Sequence, residues 1–342
     1  MPFHFEARTQ RSTFESPFKE FETVTLEGEI RTDPLTGHVT RIAPFRLKPF
    51  QRRDVSELVA RSARKCPFCP DRVLEKSSRF TPDFGAPGGR IRDGAAVLFP
   101  NAFPYADYSA VAVLGPEHFV EPEAFTPDMF LGAFRVSREY FLRVLDKSPQ
   151  AVHASINMNY MPLAGAGLIH PHVQVLAAET PTRFQHRLLE ASAMFNPDDP
   201  CAVFRERVRQ ERDIGVRYVG RTGEAHWMTA FAPVGMYDVW GVLPQGPPFH
   251  SMTGESWFDF ADGICRVLKF LDRKNVQSFN LALYTRNSRE GTPTFHLVRL
   301  VPRVNLPEFE VSDINYFERL HDESLTFVPP EEAAGELRDF FP

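Results

Sequence analysis

With only four cysteines in 342 residues, the chain cannot rest on a disulfide scaffold, and no apolar run approaches the length of a membrane span. Charge of one sign is equally scarce. The 39 basic and 44 acidic residues are intermixed and leave a formal charge of -5, which offers no general surface for nucleic acid or for a membrane. Residues Met1 to Ser16 are polar and charged, unlike a signal peptide, so a cytoplasmic protein is expected. Any anionic ligand must be held by local groups. Phenylalanine (32) and proline (30) are abundant, which suggests aromatic packing beneath proline-punctuated loops. The length suits two domains of ordinary size, or one fold made of two halves.

Two stretches follow the same order of elements. The first reads as strands near Ala95–Phe99 and Tyr108–Leu114, a helix over Pro127–Lys147, and strands near Val152–Met158 and His170–Ala177. Thr126 is its expected N-cap, and Phe130, Ala133, Phe134, Phe141, Val144 and Leu145 recur at helical spacing. The second repeats it with Trp227–Ala232, Asp238–Leu243, a helix over Gly254–Lys274, Ser278–Tyr284 and Thr294–Val301. Thr126 and Thr253, Pro116 and Pro244, and His170 and His296 recur at nearly one separation. The expected fold is therefore α+β: two ββαββ halves forming mostly antiparallel sheet with helices packed on it. Residues 1–30 read as an N-terminal arm, 31–181 as the first half, and 182–342 as a linker with two helices (Phe184–Met194, Ala202–Arg212) followed by the second half.

The chemistry concentrates in His170-Pro171-His172-Val173-Gln174, which follows the small-residue run Leu163–Gly167. On a strand, alternate side chains share a face, so two imidazoles and a carboxamide converge. A neutral imidazole attacks phosphorus near pH 7 without a strong base, and a carboxamide can hydrogen-bond a phosphoryl oxygen. A strand with ordinary surface polar residues fits the same five letters. Cys66-Pro67-Phe68-Cys69 has the spacing of half a tetrahedral zinc site, and His118 and His170 complete four ligands. Such a closed shell is structural, pinning loops and the start of the His170 strand, with His172 about 6.5 to 7 Å further along. A redox C-x-x-C is the competing reading.

The ordered set Arg31-Thr32-Asp33-Pro34-Leu35-Thr36-Gly37, Ala43 to Pro49, Cys66 to Cys69, Asn101-Ala102-Phe103-Pro104, Gly115-Pro116-Glu117-His118 and His170 to Gln174 resembles the galactose-1-phosphate uridylyltransferase family, a duplicated branch of the histidine triad superfamily. The resemblance implies His172 as the nucleophile that takes the nucleotidyl group, Gln174 as the residue holding the phosphate, and Cys66, Cys69, His118 and His170 as zinc ligands. It implies Asn101 and Phe103 at the nucleotide, Arg46 and Lys48 at phosphate or nucleotide, Asn159 (or Asn157) in the site, and Glu318 on sugar hydroxyls. Backbone donors of the Gly165 to Gly167 loop would add to the phosphate site. Without the motif, Arg46 and Lys48 continue a solvated basic stretch through Arg52 and Arg53, Phe103 is core, and Asn101 caps a turn.

Three departures stand out. Gly167 replaces a small hydroxyl residue, Leu297 and Arg299 stand where a second metal site would have histidines, and Leu320–Ser324 is unusually polar and acidic; His296, one position away, is structural or substrate-facing. The expected activity is a two-step uridylyl transfer through a nucleotidyl-histidine, with a UDP-hexose and a phosphate-bearing acceptor as partners, a structural Zn2+, and a homodimer. An ADP-sugar or dinucleotide-polyphosphate phosphorylase, a hydrolase, and a non-catalytic zinc-stabilised nucleotide-binding protein are the alternatives.

Overall fold

The computed structural model describes residues 3–46, 49–286, 292–306 and 311–342. The chain opens with a hairpin, β1 (Glu6–Ser16) and β2 (Glu22–Thr32), then β3 (Val39–Ile42) and two short helices, α1 (Ser56–Ala63) and α2 (Val73–Lys76). The first half continues with β4 (Ile91–Asp93), β5 (Ala96–Pro100), β6 (Tyr108–Val113), α3 (Pro127–Lys147), β7 (His153–Tyr160) and β8 (His172–Ala178). After α4 (Arg183–Phe195) and α5 (Ala202–Ile214) the order recurs: β9 (Tyr218–Thr222), β10 (Ala225–Thr229), β11 (Val239–Gly246), α6 (Gly254–Arg273), β12 (Ser278–Arg286) and β13 (Thr294–Arg303). The chain ends with β14 (Asn305–Leu306), β15 (Val311–Ser312), α7 (Tyr316–Leu320), β16 (Glu323–Thr326) and α8 (Pro330–Leu337).

The duplication is explicit in the ten-stranded sheet, whose order β4-β5-β6-β8-β7-β12-β13-β11-β10-β9 reads the same from either edge once β9 to β13 are matched to β4 to β8. All its pairs are antiparallel, and β7 meets β12 at the central seam. The apolar stripes of α3 and α6 cover one face and form the main core with Phe130, Phe134, Phe141, Phe260, Ile264 and Leu268. Trp227, fully buried, needs two glycines: a Cβ on Gly263 of α6 would stand 2.0 Å from its ring, and one on Gly241 of β11 2.6 Å. Thr253 caps α6 by accepting from Ser256, whereas Thr126 begins α3 without a side-chain cap.

The other face is packed with apolar residues at its flanks. Val73 and Phe68 pack on Val97, Phe99, Val111 and Val113 at one side, and α4 and α5 pack Leu188, Val203 and Phe204 on Trp240, Val242 and Leu297 at the other. A polar strip remains between them, across the seam. The segment expected to be an arm is strand: β1 pairs with β2 over eleven positions, from Glu6↔Thr32 to Ser16↔Glu22. Its polar, exposed alternation carries no hydrophobic signal, which is why sequence periodicity passes over it. This hairpin joins β3 and β16 in a separate four-stranded sheet, so the C-terminal segment closes back on the N-terminal one. Among the described residues, no helix is long and apolar enough to cross a membrane.

Candidate functional site

Cys66 and Cys69 lie on the tight turn between α1 and α2. Its backbone is tied by Cys66 N–H to Ala63 O and by the Arg72 and Val73 N–H groups to Cys69 O. Arg72 holds the same turn from the side by donating to the carbonyls of Arg64 and Ala63. His118 follows β6 and His170 precedes β8; the ligand atoms of the four residues lie within 4.8 Å of one another. Each imidazole turns Nδ1 toward the Cys69 sulfur, at 3.5 Å for His118 and 3.8 Å for His170. The other ring nitrogens are occupied. His170 Nε2 donates to Gly115 O at 2.9 Å, and His118 Nε2 donates at 2.8 Å to Ser62 Oγ, whose own proton goes to Val59 O. Both Nδ1 lone pairs therefore face the cysteines.

Burial, with the neighbouring Cys66, pushes the Cys69 thiol up to about 11, and burial pushes His170 down to about 4. Two buried soft sulfurs, the buried His170 and the half-buried His118, with outer-shell bonds already made, fit a tetrahedral Zn2+ and fill its four positions.

The strand begins at His172, not at His170 as the periodicity suggests. Pro171 has no N–H to offer a ladder and gives its carbonyl to Leu114 N, while the His170 carbonyl is taken by a side chain. That side chain is His172. Its Nδ1 lies 2.7 Å from His170 O, and a carbonyl can only accept, so Nδ1 carries the proton and Nε2 the lone pair. Burial lowers the His172 pKa, with the bond to His170 opposing the shift, so the ring is neutral near pH 7. Phe68 meets it edge-on, ring centroids 5.2 Å apart. Gln174 follows on the same face.

From Gln174 the polar strip crosses the seam. Gln174 stands opposite Asn157 on β7, Asn157 opposite Ala282 on β12, and Ala282 opposite Arg299 on β13. In the next row Asn159 stands opposite Asn280, whose Nδ2 donates to Asn159 Oδ1 at 2.7 Å and to Ala164 O at 2.9 Å. Asn157, Asn159 and Asn280 form one wall of a cavity of about 510 Å3 that Glu318, His38 and Phe327 also line. His172 and Gln174 are on the neighbouring strand and do not line it. Arg299 and Arg303 reach the cavity already paired with Asp238 and Asp313. Glu318 spends Oε2 on Asn315 N and Oε1 on Leu325 N, holding α7 against β16.

The remaining expectations divide. Asn101 accepts from Phe103 N at 3.0 Å, so it caps its own turn, and Phe103 is 80% exposed rather than core. Gly165, at φ +86°, ends a 3-10 turn, and the N–H groups of Gly165 and Ala166 go to Pro162 O and Met161 O. Those two donors are not available to a phosphate as the sequence suggests; Gly167 is exposed with open space around it. Arg46 ends the turn Pro44–Arg46, and its side chain, like the whole of Lys48, lies outside the described residues. His296 is structural and not substrate-facing. It is fully buried, with Nδ1 on Thr285 Oγ1 and Nε2 on Pro247 O. Sequence reasoning missed Asn280 and Arg303 altogether; they carry no motif and reach the site only because β12 and β13 pair beside β7.

No protein-family profile matches the chain. Among solved structures it is similar to an ADP-glucose phosphorylase from Arabidopsis thaliana with bound ADP-glucose: 17% identity, 91% of this chain and 98% of that one, TM-score 0.64. A uridylyltransferase is similar at 16% identity, 91% and 97% coverage and TM-score 0.63. An uncharacterized protein of Archaeoglobus fulgidus is 33% identical over 313 residues, 92% of each chain. The chain belongs to one family with that archaeal protein, and its fold is the galactose-1-phosphate uridylyltransferase-like one.

Proposed function

We propose that the protein is a nucleotidyltransferase working by two displacements through a nucleotidyl-histidine on His172 Nε2. The observation that carries this reading is the 2.7 Å bond from His172 Nδ1 to His170 O, which leaves Nε2 unprotonated and fixes the ring. In the first step the Nε2 lone pair attacks the α-phosphorus of a nucleoside diphosphate sugar. The bond from that phosphorus to the bridging oxygen breaks, and the sugar phosphate leaves. The Nδ1 proton stays on the ring, where the His170 carbonyl stabilises the cationic adduct. A phosphate-bearing acceptor then attacks the same phosphorus and frees the histidine. The leaving group is a phosphate of low pKa, so positioning and charge stabilisation carry the rate. Gln174, two residues along the same face, is proposed to hold a phosphoryl oxygen, and Asn159, with Arg46 and Lys48, to bind nucleotide or phosphate. Asn101 and Phe103 are proposed at the base, Gly165 and Gly167 to let the chain approach the ligand closely, and Glu318 at the sugar.

Zn2+ on Cys66, Cys69, His118 and His170 would cross-link the α1–α2 turn to the start of β8 and so hold the carbonyl that orients His172. UDP-hexose is the proposed donor. The similarity to a protein with bound ADP-glucose favours one second reading, adenylyl transfer in a phosphorylase. A homodimer and a cytoplasmic location belong to the same proposal; sedimentation of the purified protein tests the first.

Intact-mass measurement of the metal-loaded protein after incubation with UDP-glucose and, separately, ADP-glucose tests the mechanism and separates the bases. A nucleotidyl adduct is expected with one of them and none on His172→Ala. Wild-type protein that stays unmodified with every common nucleotide sugar overturns the proposal.

A further inference from the structure

On the helix side of the large sheet, away from His172, a groove of about 720 Å3 runs between β4, α3 and the start of α6. Five arginines line it: Arg90, Arg92, Arg135, Arg138 and Arg143. Only two acids, Asp93 and Glu139, stand among them, a local excess of positive charge on a chain whose formal net charge is -5.

Arg143 is held by the fold, with Nη1 on the Phe84 and Gly85 carbonyls and Nη2 on Glu139 at 2.7 Å, but the other four keep guanidinium nitrogens that the fold does not use. Arg90 is 7% exposed and spends Nε and Nη2 on Ser77, leaving Nη1. Arg138 spends only Nε, on His250 O. Arg135 reaches Asp93 through one nitrogen at 3.3 Å, and the exposed Arg92 side chain makes no hydrogen bond or ion pair among the described residues. Independently, two buried donors on groove-lining residues lack an acceptor among the described residues: Nε of Arg143 and Nε1 of Trp257, an indole only 5% exposed. A buried N–H without a partner is unfavourable, so such an atom beside a cation-rich groove favours an acceptor that the protein itself does not supply.

We infer that this groove is a second binding site, for a small polyanion carrying phosphoryl groups, distinct from the His172 site. Phosphoryl oxygens accept from guanidinium edges in paired fashion and from an indole N–H. Met252, Ile91 and Pro87 add an apolar floor beside Trp257.

Inorganic tripolyphosphate is the probe, read by calorimetry and by tryptophan fluorescence, with citrate as the non-phosphoryl polyanion. Saturable binding that is unchanged in His172→Ala and weakened tenfold or more in Arg92→Gln/Arg138→Gln supports the site. Trp257→Phe, with Trp227 and Trp240 left as internal reporters of folding, should lose the fluorescence change and still bind. Tripolyphosphate bound equally well by the double arginine variant, or lost in His172→Ala, overturns the inference, and citrate bound as tightly overturns its phosphoryl character. Because the groove and the His172 site are read by different variants, failure of either leaves the other standing.

Discussion

Asn280 Nδ2 lies 2.7 Å from Asn159 Oδ1, a hydrogen bond across the seam between residues 121 apart in the chain. The same amide holds Ala164 O, so one second-half side chain positions both a first-half asparagine and the loop ahead of His170. Asn280→Ala leaves two acceptors without their donor, a loss of about 1 to 3 kcal/mol. On the proposed reading, in which the asparagine wall contacts the nucleotide sugar, kcat/KM should fall roughly tenfold or more, with the fold retained. Steady-state kinetics and a thermal melt check this. An unchanged kcat/KM would remove the wall from the site.

His172 and Gln174 should separate by the step they serve. His172→Ala should abolish nucleotidyl transfer, since it removes the proposed nucleophile, while leaving the melting temperature and metal content near those of the wild type. Gln174→Ala keeps the proposed nucleophile and loses the proposed donor to the phosphoryl oxygens, so kcat should fall by about 10²- to 10³-fold. Adduct formation followed in a single turnover distinguishes the two.

The metal quartet makes a prediction about a residue that touches no metal. Ser62 accepts from His118 Nε2 and passes its own proton to Val59 O, which fixes the ring with Nδ1 toward the sulfurs. Ser62→Ala should weaken metal binding about 10- to 100-fold, as loss of an outer-shell partner does. Titration of one Zn2+ per chain against a chelator reads this. Removing the metal should lower the melting temperature and the rate of His172 adduct formation together, because the cross-link that holds the His170 carbonyl is gone.

The halves were legible because their elements are long and strongly periodic. Both core helices and the strands β5 to β8 and β10 to β13 follow from apolar spacing, and C-x-x-C with two separated histidines predicts a cluster that the fold brings together. The motif Arg31–Gly37 was visible without its meaning. In the structure it is a buried turn: Asp33 Oδ1 accepts from Leu35 N, Thr36 N and Thr36 Oγ1, and Gly37 has φ +67°. Illegible were features set by pairing rather than by local pattern. The ribbon β1–β2 alternates polar residues on two exposed faces, and Asn280 and Arg303 join the cavity only through the register of β12 and β13. Glu318, named from the resemblance, lines the cavity, but its carboxylate is engaged with backbone N–H groups that no sequence motif announces.

His296 yields a pH prediction outside the polar strip. It is fully buried, its nitrogens on Thr285 Oγ1 and Pro247 O, and burial pushes its pKa down to about 4. An unfolded histidine titrates near about 6.5, so between these values the unfolded chain binds a proton that the folded chain refuses, and stability rises with pH. The sign is fixed. His296 imposes no penalty above about pH 6.5, and as pH falls toward 4 it removes stability, up to about 3 kcal/mol. His226, held down to about 4 by burial first and then by Arg212 and Arg221, adds a slope in the same window. Denaturant unfolding at a series of pH values should therefore show a decline below about pH 6.5 that is shallower in His296→Gln, whose amide cannot take up the proton. The substitution lowers stability at pH 8 through lost packing, so the quantity to compare is the slope. Equal slopes in the two proteins would mean that the His296 ring is not the proton-refusing group.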